Sequence, residues 1–150
     1  MKKVCSGFGH RKLFEKIDDE LEVLIEELIT VNNVRTFMTG DMGSFDKSFS
    51  AAVRKAKRKH KDIELHLVLP YFSNRINKDK DFYEELFDKI IIPEELVGVH
   101  YKRAITQRNK WMIDSSDYVL TCVCRKQGGA YTAMKYAKES GKLYKNILIK

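Results

Sequence analysis

The stretch Thr36-Phe37-Met38-Thr39-Gly40-Asp41-Met42-Gly43-Ser44-Phe45 decides the fold class of this chain. Its first three residues predict a strand, and the glycines with their polar neighbours predict a turn. From Phe45 to about Lys59, apolar residues recur at the three-to-four spacing of an amphipathic helix. The stretch is therefore predicted to be a strand, a tight glycine turn and a helix, in that order.

The same order of elements repeats along the chain. Further strands are predicted at 4–5, 63–69, 96–99, 118–123 and 146–149, and further helices at 13–30, 81–89, 103–115 and 130–140. Strands that alternate with helices are typical of a parallel sheet covered by helices on both faces. A length of 150 residues suits one domain with its own core. We therefore expect a single α/β domain with a mainly parallel, doubly wound sheet.

Composition excludes several protein classes. With 43% hydrophobic and 33% charged residues, the chain has the balance of a globular protein, and no apolar run is long enough for a membrane span or signal peptide. We expect a cytoplasmic location. Cys5, Cys122 and Cys124 fit neither a disulfide framework nor a zinc site, and all three are interpreted as reduced core residues. The net charge of +7 permits a polyanionic partner, but the basic run 54–61 is interpreted as a solvated helix end.

Three glycine turns are the candidate binding elements. They are Gly7-Phe8-Gly9, Gly40-Asp41-Met42-Gly43 and Gly128-Gly129, and each is predicted to lie between a strand and a helix. Turns of this kind share the carboxyl edge of a parallel sheet, where ligands bind at the point of strand-order reversal. Glycine lets the backbone approach a ligand, and the N-terminus of the following helix favours phosphate. Polar residues flank the three turns: His10, Arg11, Asp46 and Thr132.

Arg108 leaves two interpretations open. It lies on a predicted helix, where most arginines are surface residues, but a guanidinium can also hold phosphate through two parallel hydrogen bonds. The spacing of the residues does not decide between these roles. The four histidines show no metal-ligand spacing, and we expect neither a metal site nor a cofactor.

Four blocks of the sequence resemble one known superfamily. They are Phe8-Gly9-His10-Arg11-Lys12-Leu13, Thr39 to Asp46, Val68-Leu69-Pro70-Tyr71, and Arg108 to Val119 leading to Gly128-Gly129-Ala130-Tyr131. In this set and order they resemble the SLOG superfamily of Rossmann-like domains, which includes the DprA/Smf and LOG proteins, and within it the YpsA-like branch. The resemblance spans nearly the whole chain. It implies a Rossmann-like doubly wound sheet with a pocket for a nucleotide-like ligand.

The LOG enzymes of this superfamily cleave the N-glycosidic bond of nucleoside monophosphates, and the chain is similar to them only in part. Arg108 and Met112 match the first half of the LOG signature, as do Ser116 and Asp117; Gly128, Gly129 and Thr132 match the second half. Gln127, Tyr131 and Lys135 depart from it, and Lys135 stands where the resemblance places a catalytic glutamate. Cleavage passes through a cation-like sugar that a carboxylate stabilises and a lysine repels. The resemblance therefore implies that phosphate binding is kept and that catalysis is lost, unless Asp46 or Asp41 replaces the glutamate.

Three hypotheses follow, led by a module that binds or senses a nucleotide-derived small molecule. An N-glycoside hydrolase with Asp46 as its carboxylate is the first alternative. Binding of single-stranded nucleic acid, as in the DprA-like relatives, is the second, although the interleaved aromatic and basic pattern of single-strand binders is missing. A homo-oligomer is compatible with all three. The candidate ligand-binding residues are Gly9, His10, Arg11, Gly40, Met42, Gly43, Asp46, Pro70, Arg108, Asn109, Gly128, Gly129 and Thr132.

Overall fold

A computed structural model describes residues 1–13 and 16–147 of the chain and contains the predicted strand and helix alternation. The strands are β1 (Lys3–Gly9), β2 (Val34–Thr39), β3 (Glu64–Val68), β4 (Lys89–Ile91), β5 (Tyr118–Cys122) and β6 (Leu143–Asn146). The helices are α1 (Asp18–Thr30), α2 (Ser44–Lys57), α3 (Asn74–Lys78), α4 (Lys80–Leu86), α5 (Tyr101–Asp114) and α6 (Gly129–Glu139).

The six strands form one sheet in the order β4-β3-β2-β1-β5-β6, and every neighbouring pair is parallel. From β1 the chain builds the sheet outward through β2, β3 and β4, and then returns to the other side of β1 for β5 and β6. The order therefore reverses beside β1, and ligands of open α/β sheets bind outside the carboxyl ends of the strands at such a point. The predicted fold class is confirmed.

Successive side chains of each strand point to opposite faces, and each face has its own core. Phe37 of β2 joins the larger core with residues of α1 and α2, whereas its neighbour Met38 joins the smaller core with residues of α5 and α6. Phe45 and Phe49 of α2 are fully buried in the larger core and stack with ring centroids 5.8 Å apart. Helices thus cover both faces of the sheet, as predicted.

The N-terminal part of the chain differs from the prediction at two boundaries. The segment Gly7-Phe8-Gly9, predicted as a turn, continues β1 and pairs with β5 as far as Cys122. Helix α1 begins at Asp18 rather than at Leu13. The predicted helical residues Phe14 and Glu15 lie outside the described residues.

The predicted strand at 96–99 is wrong. A 3-10 turn occupies Glu94–Leu96, and Gly98 has a φ of 84°, which an extended strand does not use. The strand of this region lies earlier, where Lys89, Ile90 and Ile91 pair with the end of β3. At the C-terminus, β6 ends at Asn146, so the predicted strand 146–149 begins too late, and residues 148–150 lie outside the described part.

Two predictions about individual side chains also need correction. Cys5 and Cys122 are buried as expected, but Cys124 is exposed because it follows the end of β5. In the basic run, Arg54 is only partly solvated, since its Nε donates to the Leu86 carbonyl oxygen at 3.1 Å. In the part of the chain that the structure describes, no helix combines the length and apolar character needed to cross a membrane.

Candidate functional site

A cleft of about 750 Å³ opens where β1, β2 and β5 end, at the reversal of strand order. This main cleft takes its walls from the end of β1, the segments that follow β2 and β5, and helices α2, α5 and α6. Its volume lies within the range of pockets that bind small organic ligands. The sheet topology therefore assembles one cleft from residues that are far apart in the sequence.

Arg108 lies in the wall of the main cleft and is only 3% exposed. Its Nη1 donates to the Val68 carbonyl oxygen at 2.9 Å, its Nε to Asn109 Oδ1 at 2.8 Å, and its Nη2 to Met42 Sδ at 3.3 Å. Burial lowers the pKa of the guanidinium, and the nearby Asp46 opposes that effect. Three of the five guanidinium N–H groups are thus directed at protein atoms, which ties α5 to the ends of β2 and β3.

Gly40 lets this guanidinium lie directly against the backbone. A Cβ at residue 40 would lie 2.7 Å from Arg108 Nη1 and 2.8 Å from Cζ, closer than any side chain tolerates. The glycine is therefore required by Arg108 itself, and the two residues form one structural unit at the floor of the main cleft.

Asp46 is a buried carboxyl group in the same wall, with 8% of its surface exposed. Burial raises its pKa from 3.8 to about 6, while the Met42 N–H, which donates to Oδ2 at 2.7 Å, and the charge of Arg108 oppose the rise. Among the residues that line the main cleft, it is the single carboxylate. Its position therefore allows either protonation state close to neutral pH.

His10 connects the end of β1 to the segment after β5. Its Nε2 accepts from the backbone N–H of Cys124 at 3.1 Å and of Arg125 at 3.4 Å, so the ring proton belongs on Nδ1. Burial and the charge of Arg125 lower the pKa of the imidazole, which keeps it neutral. A neutral ring with a proton on Nδ1 is available as a hydrogen-bond donor.

The N-terminus of α6 supplies unpaired backbone donors to the main cleft. The first hydrogen bond of the helix runs from Thr132 N–H to the Gly128 oxygen at 3.1 Å, and no side chain caps the helix. The N–H groups of Gly129 and Ala130 therefore lack helical partners, and both residues line the cleft. A Cβ at residue 128 or 129 would meet no atom within 4 Å, so packing does not require either glycine. Gly128, with a φ of 94°, is required only by its backbone conformation.

The glycines of β1 have a different role. A Cβ at Gly9 would lie 2.2 Å from the ring of Phe45, and one at Gly7 would lie 2.7 Å from Phe49. Both glycines therefore exist so that α2 can pack closely on β1. Gly43, at a φ of 110°, brings the start of α2 against Arg11, whose carbonyl oxygen accepts from Ser44 N–H at 2.7 Å.

Ten of the thirteen candidate residues line the main cleft: Gly9, His10, Arg11, Gly40, Met42, Asp46, Arg108, Asn109, Gly128 and Gly129. Gly43 lies in the wall of a neighbouring cleft. Pro70 is buried and does not line either cleft, and the hydroxyl of Thr132 donates to the Gly128 oxygen inside α6. Lys135, at the position of the LOG glutamate, is exposed and lies outside the lining of the main cleft.

Six lining residues are not among the thirteen candidates: Gly7, Phe8, Ile105, Arg125, Gln127 and Ala130. Gly7 and Phe8 nevertheless belong to the first of the three predicted glycine turns. Arg125 could have been identified from the sequence, because it lies between the predicted strand 118–123 and the Gly128-Gly129 turn. Ile105 carried no such signal, since an apolar residue in a helix is most simply a core residue.

The chain is similar in sequence to a curated bacterial protein. The chain is 26% identical over 140 residues to the uncharacterized SPbeta prophage-derived protein YoqJ of Bacillus subtilis (strain 168). The alignment covers 83% of this chain and 82% of YoqJ. No family model matches the sequence.

Solved structures show the same fold at low sequence identity. DNA processing protein A (DprA) of Streptococcus pneumoniae superposes with a TM-score of 0.70 at 16% identity, and DprA of Helicobacter pylori, which is described with a single-stranded DNA binding mode, with 0.68 at 16%. Both comparisons cover 99% of this chain, but the chain spans only 51% and 66% of the two DprA proteins.

The structural-genomics target TM1055 superposes with a TM-score of 0.61 at 15% identity, over 95% of this chain and 72% of that protein. The YpsA-like branch stays a prediction, because these similarities do not distinguish branches. The chain therefore has the Rossmann-like α/β fold of the DprA structures and TM1055, which is the fold that the SLOG resemblance implies.

Proposed function

We propose that the protein binds a nucleotide-derived small molecule in the main cleft, with a phosphate at the N-terminus of α6. The observation that supports this most directly is the pair Gly128-Gly129, which leaves unpaired N–H groups in a cleft and is not needed for packing. A helix N-terminus attracts anions through these N–H groups and its dipole. Arg11 and Arg125, both exposed in the cleft wall, add positive charge to the same place.

Apolar and polar walls together suit a nucleotide. Phe8 and Ile105 provide apolar surface for a base, and His10 provides a neutral donor for a sugar or base. Arg108 has two N–H groups that are not directed at protein atoms. In this proposal Arg108 stabilises the floor of the main cleft and adds positive charge, and it does not bind the phosphate in a bidentate manner.

The test is a thermal-shift screen against nucleoside monophosphates, dinucleotides, ADP-ribose and cyclic nucleotides. A ligand at 100 times its Kd adds about 2.7 kcal/mol to the free energy of unfolding, which raises Tm clearly. Affinities for each hit are then measured by calorimetry in the wild type, in Arg125→Gln and in Arg108→Ala. Lys126→Gln is the matched control, because Lys126 is the exposed neighbour of Arg125 and does not line the main cleft.

We expect Arg125→Gln to weaken binding about tenfold while Lys126→Gln leaves it unchanged, since each hydrogen bond to a charged group contributes about 1.5–3 kcal/mol. Arg108→Ala is expected to abolish binding and also to lower Tm, so it cannot serve alone. Equal affinities in Arg125→Gln and Lys126→Gln would contradict a phosphate site in this cleft.

A second candidate function, N-glycoside hydrolysis, rests on Asp46. A buried carboxyl group with a pKa of about 6 in a ligand-sized cleft has the properties of a catalytic acid or base. The test is to incubate the protein with each nucleotide that binds and to measure the free base that is released. Asp46→Asn should then abolish release of the base, and unchanged release would remove Asp46 from the mechanism.

Binding of single-stranded DNA is the third candidate, favoured by the net charge of +7 and by the fold shared with DprA. It ranks below the small ligand because the cleft is bounded on several sides by α2, α5 and α6.

A further inference from the structure

A second cleft of about 610 Å³ lies beside the main one, between α2 and the helices α3 and α4. Arg11 and Met42 line both clefts, so the two share a wall. The second cleft also falls within the volume range of ligand-binding pockets. Neither its volume nor its position is explained by the function proposed above.

The lining of the second cleft is strongly cationic. Four basic side chains, Arg11, Lys47, Arg54 and Arg75, surround one acidic side chain, Asp41, and four positive charges against one negative charge leave +3. Among the described residues, none of these five groups forms an ion pair within 4.0 Å. A concave surface with one excess sign of charge concentrates ions of the opposite sign, so this cleft attracts anions.

Arg54 shows that part of this charge is held away from water. Its side chain is half-buried, and burial lowers the pKa of the guanidinium while the charge of Asp41 opposes the change. Its Nε donates to the Leu86 carbonyl oxygen, which fixes the side chain and leaves both Nη groups for other partners. The guanidinium also lies over the Phe87 ring, 5.1 Å from its centroid, but it has no ion pair among the described residues. An anionic ligand in the second cleft would supply the charge partner that Arg54 lacks.

Ser50 provides an independent sign of a missing partner. It lines the second cleft, is 1% exposed, and its Oγ has no hydrogen-bond partner among the described residues. Buried polar atoms without a partner are rare in folded proteins, because each one loses the hydrogen bonds that it would make to water. The wall of a cationic cleft therefore contains a hydroxyl group whose hydrogen bond is unmade.

Phe82 gives the second cleft an aromatic surface. Phe82 is 59% exposed and belongs to the lining of the second cleft. Exposed rings beside cationic groups stack on nucleic-acid bases, whereas a bare inorganic anion gains nothing from such a ring. The combination favours a phosphate that carries a base.

We infer that the second cleft binds a second phosphate-bearing nucleotide unit, joined to the unit in the main cleft by a phosphate linkage that passes Arg11 and Met42. This inference rests on the proposed function, because it assigns the first unit to the main cleft. The ligand class is a nucleotide of at least two units, either a free dinucleotide or the end of a single strand.

The first experiment measures phosphate binding in each of the two clefts separately. Inorganic phosphate is titrated into ¹⁵N-labelled protein, and the amide resonances of Lys47 and Ser50 are followed beside those of Gly128 and Gly129. The double variant Lys47→Gln/Arg75→Gln removes two exposed cations from the second cleft. Arg58→Gln/Lys59→Gln is the matched control, since it removes an exposed arginine and an exposed lysine that line neither cleft.

We expect phosphate to move both pairs of resonances. The first double variant should weaken the response at Ser50, which is unchanged in that variant, at least about tenfold and leave the Gly128 response within about twofold. Movement of the Gly128 pair alone, or an unchanged response in that variant, would overturn the second site while the proposed function stands. Movement of neither pair would overturn both. Movement of the Lys47 and Ser50 pair alone would overturn the phosphate site of the main cleft, and with it the ligand that joins the two clefts.

The second experiment identifies the source of the second phosphate. Affinities are compared for AMP, the 5′-phosphorylated dinucleotide pApA and a twelve-residue oligoadenylate. We expect pApA to bind about tenfold more tightly than AMP, because linking two units makes the second binding step intramolecular, and Lys47→Gln/Arg75→Gln should abolish that gain. An oligoadenylate equal to pApA indicates a free dinucleotide, and a much tighter one indicates the end of a strand. Equal affinities for AMP and pApA would overturn the two-unit ligand.

Discussion

Asp46 affects both the chemistry of the main cleft and the stability of the folded protein. Its carboxyl group is buried, accepts one hydrogen bond from the Met42 N–H and has a pKa raised from 3.8 to about 6. A raised carboxyl pKa means that the folded protein binds the proton more tightly than the unfolded chain. The contribution to stability is therefore fully present below pH 3.8 and is lost as the pH rises to about 6.

Asp46→Asn tests this linkage. Over a shift from 3.8 to about 6, the wild type should lose about 3 kcal/mol of unfolding free energy relative to the variant, because each pKa unit corresponds to 1.36 kcal/mol. Urea denaturation of both proteins at several pH values between 3 and 8 measures this difference. Subtraction of the two curves removes the pH dependence that both proteins share, and a flat difference curve would show that Asp46 has an ordinary pKa.

Gly40→Ala tests the close packing of Gly40 against Arg108 at the floor of the main cleft. Gly40→Ala places a Cβ 2.7 Å from Arg108 Nη1, and the guanidinium cannot move away without losing its bond to the Val68 oxygen. We expect the variant to lose about 1–3 kcal/mol of unfolding free energy. Chemical denaturation checks this loss, and Gly40→Ala in an Arg108→Ala background should recover most of it. A loss of the same size in both backgrounds would place the strain elsewhere.

At the level of elements, a substitution at the start of α6 is expected to change stability and ligand affinity in opposite directions. Gly129→Ala adds a Cβ that meets no protein atom, and alanine restricts the unfolded chain, so the free energy of unfolding should rise by about 0.4–1 kcal/mol. The same methyl group enters the main cleft beside the unpaired N–H groups, and we expect ligand affinity to fall. Denaturation and calorimetry on the same preparation measure both effects. An unchanged affinity would mean that the ligand does not approach this helix end.

The contact of β1 with α2 gives a prediction about packing alone. Gly9→Ala would bring a Cβ within 2.2 Å of the fully buried Phe45 ring, so we expect at least about 3 kcal/mol of destabilisation. Combined with Phe45→Leu, whose smaller side chain leaves room, the loss should be smaller than the sum of the two single effects by about 1–3 kcal/mol. Additive losses in this double-mutant cycle would show that the two residues do not compete for the same space.

At the scale of the whole molecule, the net charge of +7 raises the question of how many phosphates the protein neutralises. For single strands, the slope of log K against log salt concentration is about −0.7 per neutralised phosphate. A ligand confined to the two clefts predicts a slope no steeper than about −2. Titration of an oligonucleotide at several salt concentrations measures the slope, and a value near −4 would instead indicate a long track of strand across the surface.

The order of strands and helices, and with it the fold class, follows from local patterns in the sequence. Periodicity located the ends of α2, α5 and α6 to within a few residues, because the apolar spacing of an amphipathic helix is a local property. It failed at β4 and at 96–99, where short apolar segments look alike whether or not they pair with a neighbour. Ten of the thirteen candidate residues line the main cleft, and their role in ligand binding stays a prediction.

The packing role of each of those residues depends on the tertiary structure. Gly7, Gly9, Gly40 and Gly128 look alike in a sequence, yet two accommodate α2, one accommodates Arg108, and one only bends the chain. The unpaired hydroxyl of Ser50 and the raised pKa of Asp46 likewise depend on burial by distant elements. The physical reason is that burial, close packing and charge proximity are sums over neighbours in space, and the order of residues along the chain does not contain them.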